Sequence, residues 1–200
     1  MATIVVSGHS RKAGKTSVTA GLIHAFREYS WTAVKISSHR HSNFPGFRRE
    51  ESTDALGFYE ETERGGSSDT SRFLAAGAAR SFWIQVDPAA SLDSLPPLKT
   101  LLRSSAHVII ESNWILRHLQ PDLCILVLRY DIKDFKESAR HALGMAHAVV
   151  AVNAAPSPPP WEETVPLLKK IPCFDTADPQ KIPADFIDFV RIRLPRNGIC

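Results

Sequence analysis

Gly14, Lys15 and Thr16 stand between an apolar run (Ile4, Val5, Val6) and a helical pattern of apolar residues (Val18, Leu22, Ile23, Phe26). A small-residue loop between a strand and a helix can turn its backbone N–H groups onto one anion. The helix adds the positive end of its dipole. In that setting a lysine reaches the β- and γ-phosphates and the following hydroxyl binds Mg²⁺. The usual spacing is G-x-x-x-x-G-K-[ST]. Here His9 occupies the first-glycine position and Gly8 lies one residue earlier. The stretch Gly8, His9, Ser10, Arg11, Lys12, Ala13, Gly14, Lys15, Thr16 and Ser17 is therefore expected to cradle the phosphates of GTP or ATP with Mg²⁺. A chance G-K-T at a helix start is the alternative, and the order strand, loop, helix argues against it.

Glu111 ends the apolar run VIIE, where a carboxylate can hold Mg²⁺ directly or through water. Asp69 and Arg72, in the stretch DTSR, offer a second carboxylate near the metal and a cation for a phosphate. Thr16, Glu111 and Asp69 are thus the expected metal residues, and Lys15, Lys12 and Arg72 the expected sources of charge stabilisation during phosphoryl transfer. Lys35, His39 and His41, with Arg40 between the histidines, could hold an anionic substrate. Each also has a plain reading: a strand-end carboxylate, a helix cap, a solvated arginine, solvated loop histidines. Asn153 ends the run VVAV, where an N-K-x-D motif would read guanine. The chain has Asn153-Ala154-Ala155-Pro156, so Asn153 could touch a base edge but no carboxylate follows it.

The elements that must position these residues follow from hydrophobic periodicity. Strands are expected at Trp31–Ile36, Ser81–Val86, Ala106–Glu111, Asp122–Leu128, Ala148–Val152 and Ile171–Phe174. Helices are expected at Thr70–Ala78 with Asp69 as N-cap, and at Leu92–Leu102, Ile132–Leu143, Trp161–Lys169 and Ile182–Ile192. Strands alternating with helices predict a three-layer α/β fold of the P-loop NTPase type, a mainly parallel sheet flanked by helices. The polar stretch Ser37–Ser68 is expected to be a mobile flap beside the phosphate loop, with a short helix around Asp54–Thr62.

At 200 residues the chain is most simply one domain, 1–200. A net charge of +3 suits an anionic ligand and is too small to imply nucleic acid. No apolar run approaches ~18 residues, so no membrane partner is expected. The N-terminus lacks the features of a secretory signal. Three scattered cysteines without C-x-x-C spacing point to reduced thiols and a cytoplasmic location.

Taken in order, these motifs resemble the molybdopterin-guanine dinucleotide biosynthesis protein B family of small P-loop proteins. The resemblance runs from Gly14-Lys15-Thr16 through the VKI strand and the loop bearing His39 and His41. It continues through Asp69-Thr70-Ser71-Arg72 and Ala75-Ala76-Gly77-Ala78 to Glu111. It implies a GTP-binding adaptor in molybdenum cofactor synthesis, with a protein partner and often a homodimer. The loop spacing is also similar to dethiobiotin synthetase and related ATP-dependent enzymes, which phosphorylate a carboxylate. A binding module that has kept the loop but lost turnover is a third reading.

Overall fold

The computed structural model describes residues 2–38, 46–52, 56–154 and 159–195. Its centre is β1 (Ala2–Gly8), in which every residue is buried. Such a strand must be apolar on both faces, and Ile4 and Val6 point one way while Val5 points the other. β1 is followed by α1 (Lys15–Ala25), β2 (Thr32–Ser37), β3 (Phe47–Ser52), β4 (Leu56–Glu61), α2 (Asp69–Ala76) and β5 (Arg80–Val86). Then come α3 (Pro96–Ser104), β6 (His107–Glu111), β7 (Leu123–Arg129), α4 (Glu137–Met145) and β8 (Ala148–Val152). The last elements are α5 (Val165–Leu168), β9 (Cys173–Thr176) and α6 (Ala184–Arg191).

Among the described residues nine strands form one sheet in the order β3-β4-β5-β2-β6-β1-β7-β8-β9. The pairs from β5 to β9 are parallel, while β3–β4 and β4–β5 are antiparallel. One face packs Val18 and Leu22 of α1 and Phe26 just past its end, Phe73 of α2, and Phe186 and Val190 of α6. The other packs Leu98 and Leu101 of α3 and Ala142 and Leu143 of α4. The three layers follow directly, since each helix must bury its apolar stripe on the sheet. Each fully buried Phe or Leu in these faces contributes about 1.5–3 kcal/mol.

Several expected boundaries move. The short helix expected around Asp54–Thr62 is instead strand: β3 and β4 lie in this stretch, with Leu56–Glu61 a strand. The polar residues of this hairpin satisfy one another: Glu60 accepts from Arg80 at 2.7 Å and also pairs with Arg48. Apolar burial on one face (Leu56, Phe58) does the rest. The α2 cap is Ser68 rather than Asp69, since Ser68 Oγ accepts from Ser71 N at 2.9 Å. α4 starts at Glu137, five residues later than expected from Ile132, because the segment before it is drawn to the phosphate loop, where Lys136 N donates to His9 O at 3.0 Å. The expected Trp161–Lys169 helix is a 3₁₀ turn at Glu162–Thr164 followed by the short α5. Leu92–Ser94 is likewise a 3₁₀ turn ahead of α3. The last strand is Cys173–Thr176, shifted along from the expected Ile171–Phe174. Cys124 and Cys173 are unpaired thiols. Among the described residues no helix is long and apolar enough to cross a membrane.

Candidate functional site

The loop between β1 and α1 is shaped by backbone demands that only certain residues meet. Gly14 has φ 104°, a left-handed conformation that glycine adopts without strain. A Cβ at Gly14 would also lie 2.9 Å from Pro179 Cβ. Lys12 adopts φ 60° in the same loop. The N-cap of α1 is Gly14, which makes no side-chain cap, and the first-turn residues Lys15, Thr16 and Ser17 line the crevice. Gly8, one residue before the first-glycine position of the usual spacing, also has no room for a side chain. A Cβ there would lie 2.8 Å from Lys15 Cγ and 2.9 Å from Cδ, so the missing side chain gives the Lys15 stem its path. Lys15 Nζ donates to Ser10 O at 2.9 Å, arching over the loop. Burial lowers the Lys15 ammonium from its usual value, and the charge of Glu111 works against that.

Strand register assembles the polar end of the site. Glu111 pairs with Val6 on β1 and with Lys35 on β2, so these positions sit level at the carboxyl ends of three adjacent parallel strands. Thr16 Oγ1 donates to Glu111 Oε2 at 2.8 Å. Lys35 Nζ donates to Glu111 Oε1 at 3.0 Å and to Asp69 Oδ2. Arg72 Nη1 lies 3.9 Å from Asp69 Oδ1, and its Nη2 donates to Ser17 Oγ at 3.1 Å. Residues far apart in sequence thus form one chain of contacts, from Thr16 through Glu111, Lys35, Asp69 and Arg72 to Ser17. Burial alone would lower the Lys35 ammonium, but Glu111 and Asp69 outweigh it and hold it above its ordinary value.

These residues line a crevice of about 670 Å³ that runs beyond the strand ends. That volume is in the range of small-molecule sites, in the place where open α/β sheets bind ligands. Its walls carry eight cationic side chains, from Arg11, Lys12, Lys15, Lys35, Arg72, Arg117, Arg129 and Lys136, against the carboxylates of Asp69 and Glu111. The mild net charge of the chain is therefore concentrated where an anion would sit.

The donor set suits a small hard cation. Thr16 donates its O–H to Glu111 and keeps its oxygen lone pairs free to face a cation, and Mg²⁺ favours a hydroxyl and one or two carboxylates, with water and substrate phosphates completing its shell. Among the described residues no group of three His, Cys, Asp or Glu side chains gathers to hold a metal without such help.

Other expected residues land elsewhere. The His9 side chain does not line the crevice. It is fully buried beneath the loop, its ring 4.5 Å from that of Trp161 and 5.7 Å from that of Phe135. Asn153 is exposed at φ 56° past β8. His39 and His41 lie outside the described residues, as does Arg40. Sequence reasoning missed Arg117, Arg129, Lys136 and Pro179 as lining residues. Arg129 ends β7 and Lys136 precedes α4, so the position of a cation at a strand or helix end was the available signal.

No protein-family model matches the chain, and no curated protein matches it. Among solved structures, it is similar to HypB from Helicobacter pylori in complex with nickel, at a TM-score of 0.52 and 16% identity over 95% of this chain and 86% of that one. The chain has the P-loop NTPase fold. Two further solved structures are similar at lower scores. Bacillus subtilis MobB aligns at a TM-score of 0.46 and 16% identity, over 98% of this chain and 99% of that one. A MobB homolog from Bacillus stearothermophilus aligns at 0.43 and 16%, over 96% and 97%. At these identities the likeness is one of fold.

Proposed function

We propose that the chain binds a purine nucleoside triphosphate together with Mg²⁺ and hydrolyses it slowly, in an adaptor-like role in molybdenum cofactor biosynthesis. The observation that carries the nucleotide reading is the 2.8 Å hydrogen bond from Thr16 to Glu111 beside an uncapped helix start and Lys15. The pathway reading rests on the order of motifs from Gly14-Lys15-Thr16 to Glu111, and it brings with it a cytoplasmic protein, a protein partner and a homodimer.

In this reading the loop N–H groups and Lys15 bind the phosphates, and Lys15 swings from Ser10 O to the β/γ oxygens. Thr16 and Glu111 hold Mg²⁺, with Asp69 behind Lys35. The metal supplies charge neutralisation at the phosphate oxygens. Lys12 and Arg72 add positive charge near the transferring group, which is the main requirement in phosphoryl transfer. Asn153 is proposed as a contact to the base edge. Lys35, His39 and His41 would bind an anionic substrate if the protein is a biosynthetic enzyme rather than an adaptor.

Calorimetric titration with Mg²⁺ and GTP or ATP tests this. Lys15→Ala should weaken binding by at least tenfold, as expected for loss of charge-assisted hydrogen bonds worth about 1.5–3 kcal/mol. Glu111→Gln should weaken binding in Mg²⁺ more than binding without metal. Unchanged affinity in Lys15→Ala ends the reading.

A second reading has one observation in its favour. Arg117 and Lys136 reach the crevice from the turn after β6 and from the start of α4, giving cations beyond those on the phosphate loop itself. They would suit an anionic acceptor, as in a carboxylate-phosphorylating enzyme. Turnover stimulated by one member of a panel of small carboxylates would select it over the adaptor reading.

A further inference from the structure

The ammonium of Lys35 lies between the two carboxylates that a divalent cation would use. It donates to Glu111 Oε1 at 3.0 Å and to Asp69 Oδ2, while Glu111 Oε2 accepts from Thr16. The Glu111 side chain is 5% exposed, that of Lys35 22% and that of Asp69 36%, so the contact is screened only in part. Its position is not an accident of a flexible side chain. β2 and β6 are paired in a register that sets Lys35 directly opposite Glu111, and directly opposed residues of parallel strands point to the same face. Asp69, the first residue of α2, then closes on the ammonium from the helix side.

We propose that Lys35 is a built-in counter-ion that holds the metal position of this site against free divalent cations, so that metal enters only with the triphosphate. The proposal rests on the nucleotide reading given above and concerns how that site is regulated. The charges explain it. Lys15 and Lys35 balance Glu111 and Asp69, so the protein alone offers a dication no net negative charge. A triphosphate changes that balance, because its own oxygens attract both the metal and the Lys35 ammonium. Mg²⁺ loses its hydration water reluctantly and needs phosphate oxygens to complete its shell. A lone metal would have to displace a lysine already paired with two carboxylates. Removing the Lys35 charge leaves the Thr16 hydroxyl beside two carboxylates with one positive charge fewer to balance them, which is a better donor set for a hard cation.

The experiment is a Mn²⁺ titration of the nucleotide-free protein, read as loss of the free-ion signal in electron paramagnetic resonance. Lys35→Met should bind Mn²⁺ at least tenfold more tightly than the parent, and Lys35→Arg should behave as the parent does. The double variant Lys35→Met with Glu111→Gln should lose the gain, which places the ion at this site. Lys35→Gln serves if Lys35→Met fails to fold, with thermal melting as the check on both. If the charge-removing variant that folds binds Mn²⁺ no better than the parent, the proposal is wrong. It is equally wrong if the parent alone binds Mn²⁺ as tightly as that variant does. A separate titration of the parent with Mg²⁺ and triphosphate keeps the two ideas apart. Failure there removes the nucleotide reading, whereas binding there with no gain of Mn²⁺ affinity removes only the counter-ion.

Discussion

The side-chain amide of Asn113 brackets the backbone of Gly8: its Oδ1 accepts from Gly8 N at 3.0 Å and its Nδ2 donates to Gly8 O at 2.9 Å. Gly8 is the last residue of β1, and Asn113 follows the end of β6. The amide thus continues the strand pairing past the point where the sheet itself stops, and it fixes the take-off of the phosphate loop. Nδ2 also donates to Ser138 Oγ at 3.2 Å, which ties α4 into the same clamp.

Asn113→Ala should therefore loosen the loop without dismantling the sheet. Three lost hydrogen bonds, two to Gly8 and one to Ser138, correspond to about 1.5–4.5 kcal/mol of stability. At about 2–4 °C per kcal/mol for a chain of this size, the melting temperature should fall by several degrees. Triphosphate affinity should fall with it. A variant that melts and binds like the parent shows that the bracket does not position the loop.

Gly14→Ala should be harmful for two separate reasons. The φ of 104° becomes a strained conformation costing about 1–3 kcal/mol. The new Cβ would also lie 2.9 Å from Pro179 Cβ. Gly65→Ala is the matched control, since a Cβ there meets nothing within 4 Å and its φ is not in the left-handed range. Differential scanning calorimetry should show a clear loss for Gly14→Ala and almost none for Gly65→Ala. Equal melting temperatures would contradict the strain argument.

His9 makes stability fall in acid. Burial against Trp161 and Phe135 lowers its imidazole below the ordinary 6.5, although the Val127 carbonyl pulls the other way. Below 6.5 the unfolded chain takes up a proton that the folded chain refuses, so the folded state loses ground as pH drops through that value. Burial lowers His107 and His118 as well, and their contribution is common to parent and variant. The measurable quantity is thus a difference. Between about pH 7.5 and 5, His9→Gln should lose less melting temperature than the parent does. The same or a steeper decline in the variant removes His9 from the acid response.

Discrimination between GTP and ATP should be weak. Reading guanine requires a carboxylate that accepts from its N1–H and N2–H₂ groups, and Asn153-Ala154-Ala155-Pro156 has none. The neighbouring carboxylate, Asp131, is already engaged: both its oxygens accept from Arg129, at 2.9 and 3.2 Å. Competition binding should give a ratio below about 100-fold, on the order of 2.7 kcal/mol. A larger preference for either base would reveal a reader elsewhere in the crevice.

The fold was legible where burial imposes a simple pattern. β1, β6, β7 and β8 are buried on both faces and read as continuous apolar runs. It was less legible where polar side chains satisfy one another. β3 and β4 carry charges that pair across the hairpin and onto β5, as Arg48 and Arg80 do with Glu60, so their composition looked like loop. Leu56 and Phe58 did alternate as a strand should, but two apolar residues among charges are too few to outweigh the rest. Ser68 and Asp69 are adjacent and both are cap residues, so composition could not choose between them. The choice came from Lys35, which takes the Asp69 carboxylate for itself.

What the sequence determined by itself was the phosphate loop. Its parts are contiguous, and their geometry follows from local rules: a strand, a glycine with positive φ, an uncapped helix start. What only the tertiary structure decided was the company that loop keeps. Glu111 is placed beside Thr16 and Lys35 by the register of β6 against β1 and β2, and Asp69 by the packing of α2. His9 went beneath the loop instead of into the crevice because Trp161 and Phe135 close over it. Those contacts join residues far apart in the chain, and such partners are chosen when the sheet assembles and the helices bury their apolar faces on it. Nothing in local spacing records that choice.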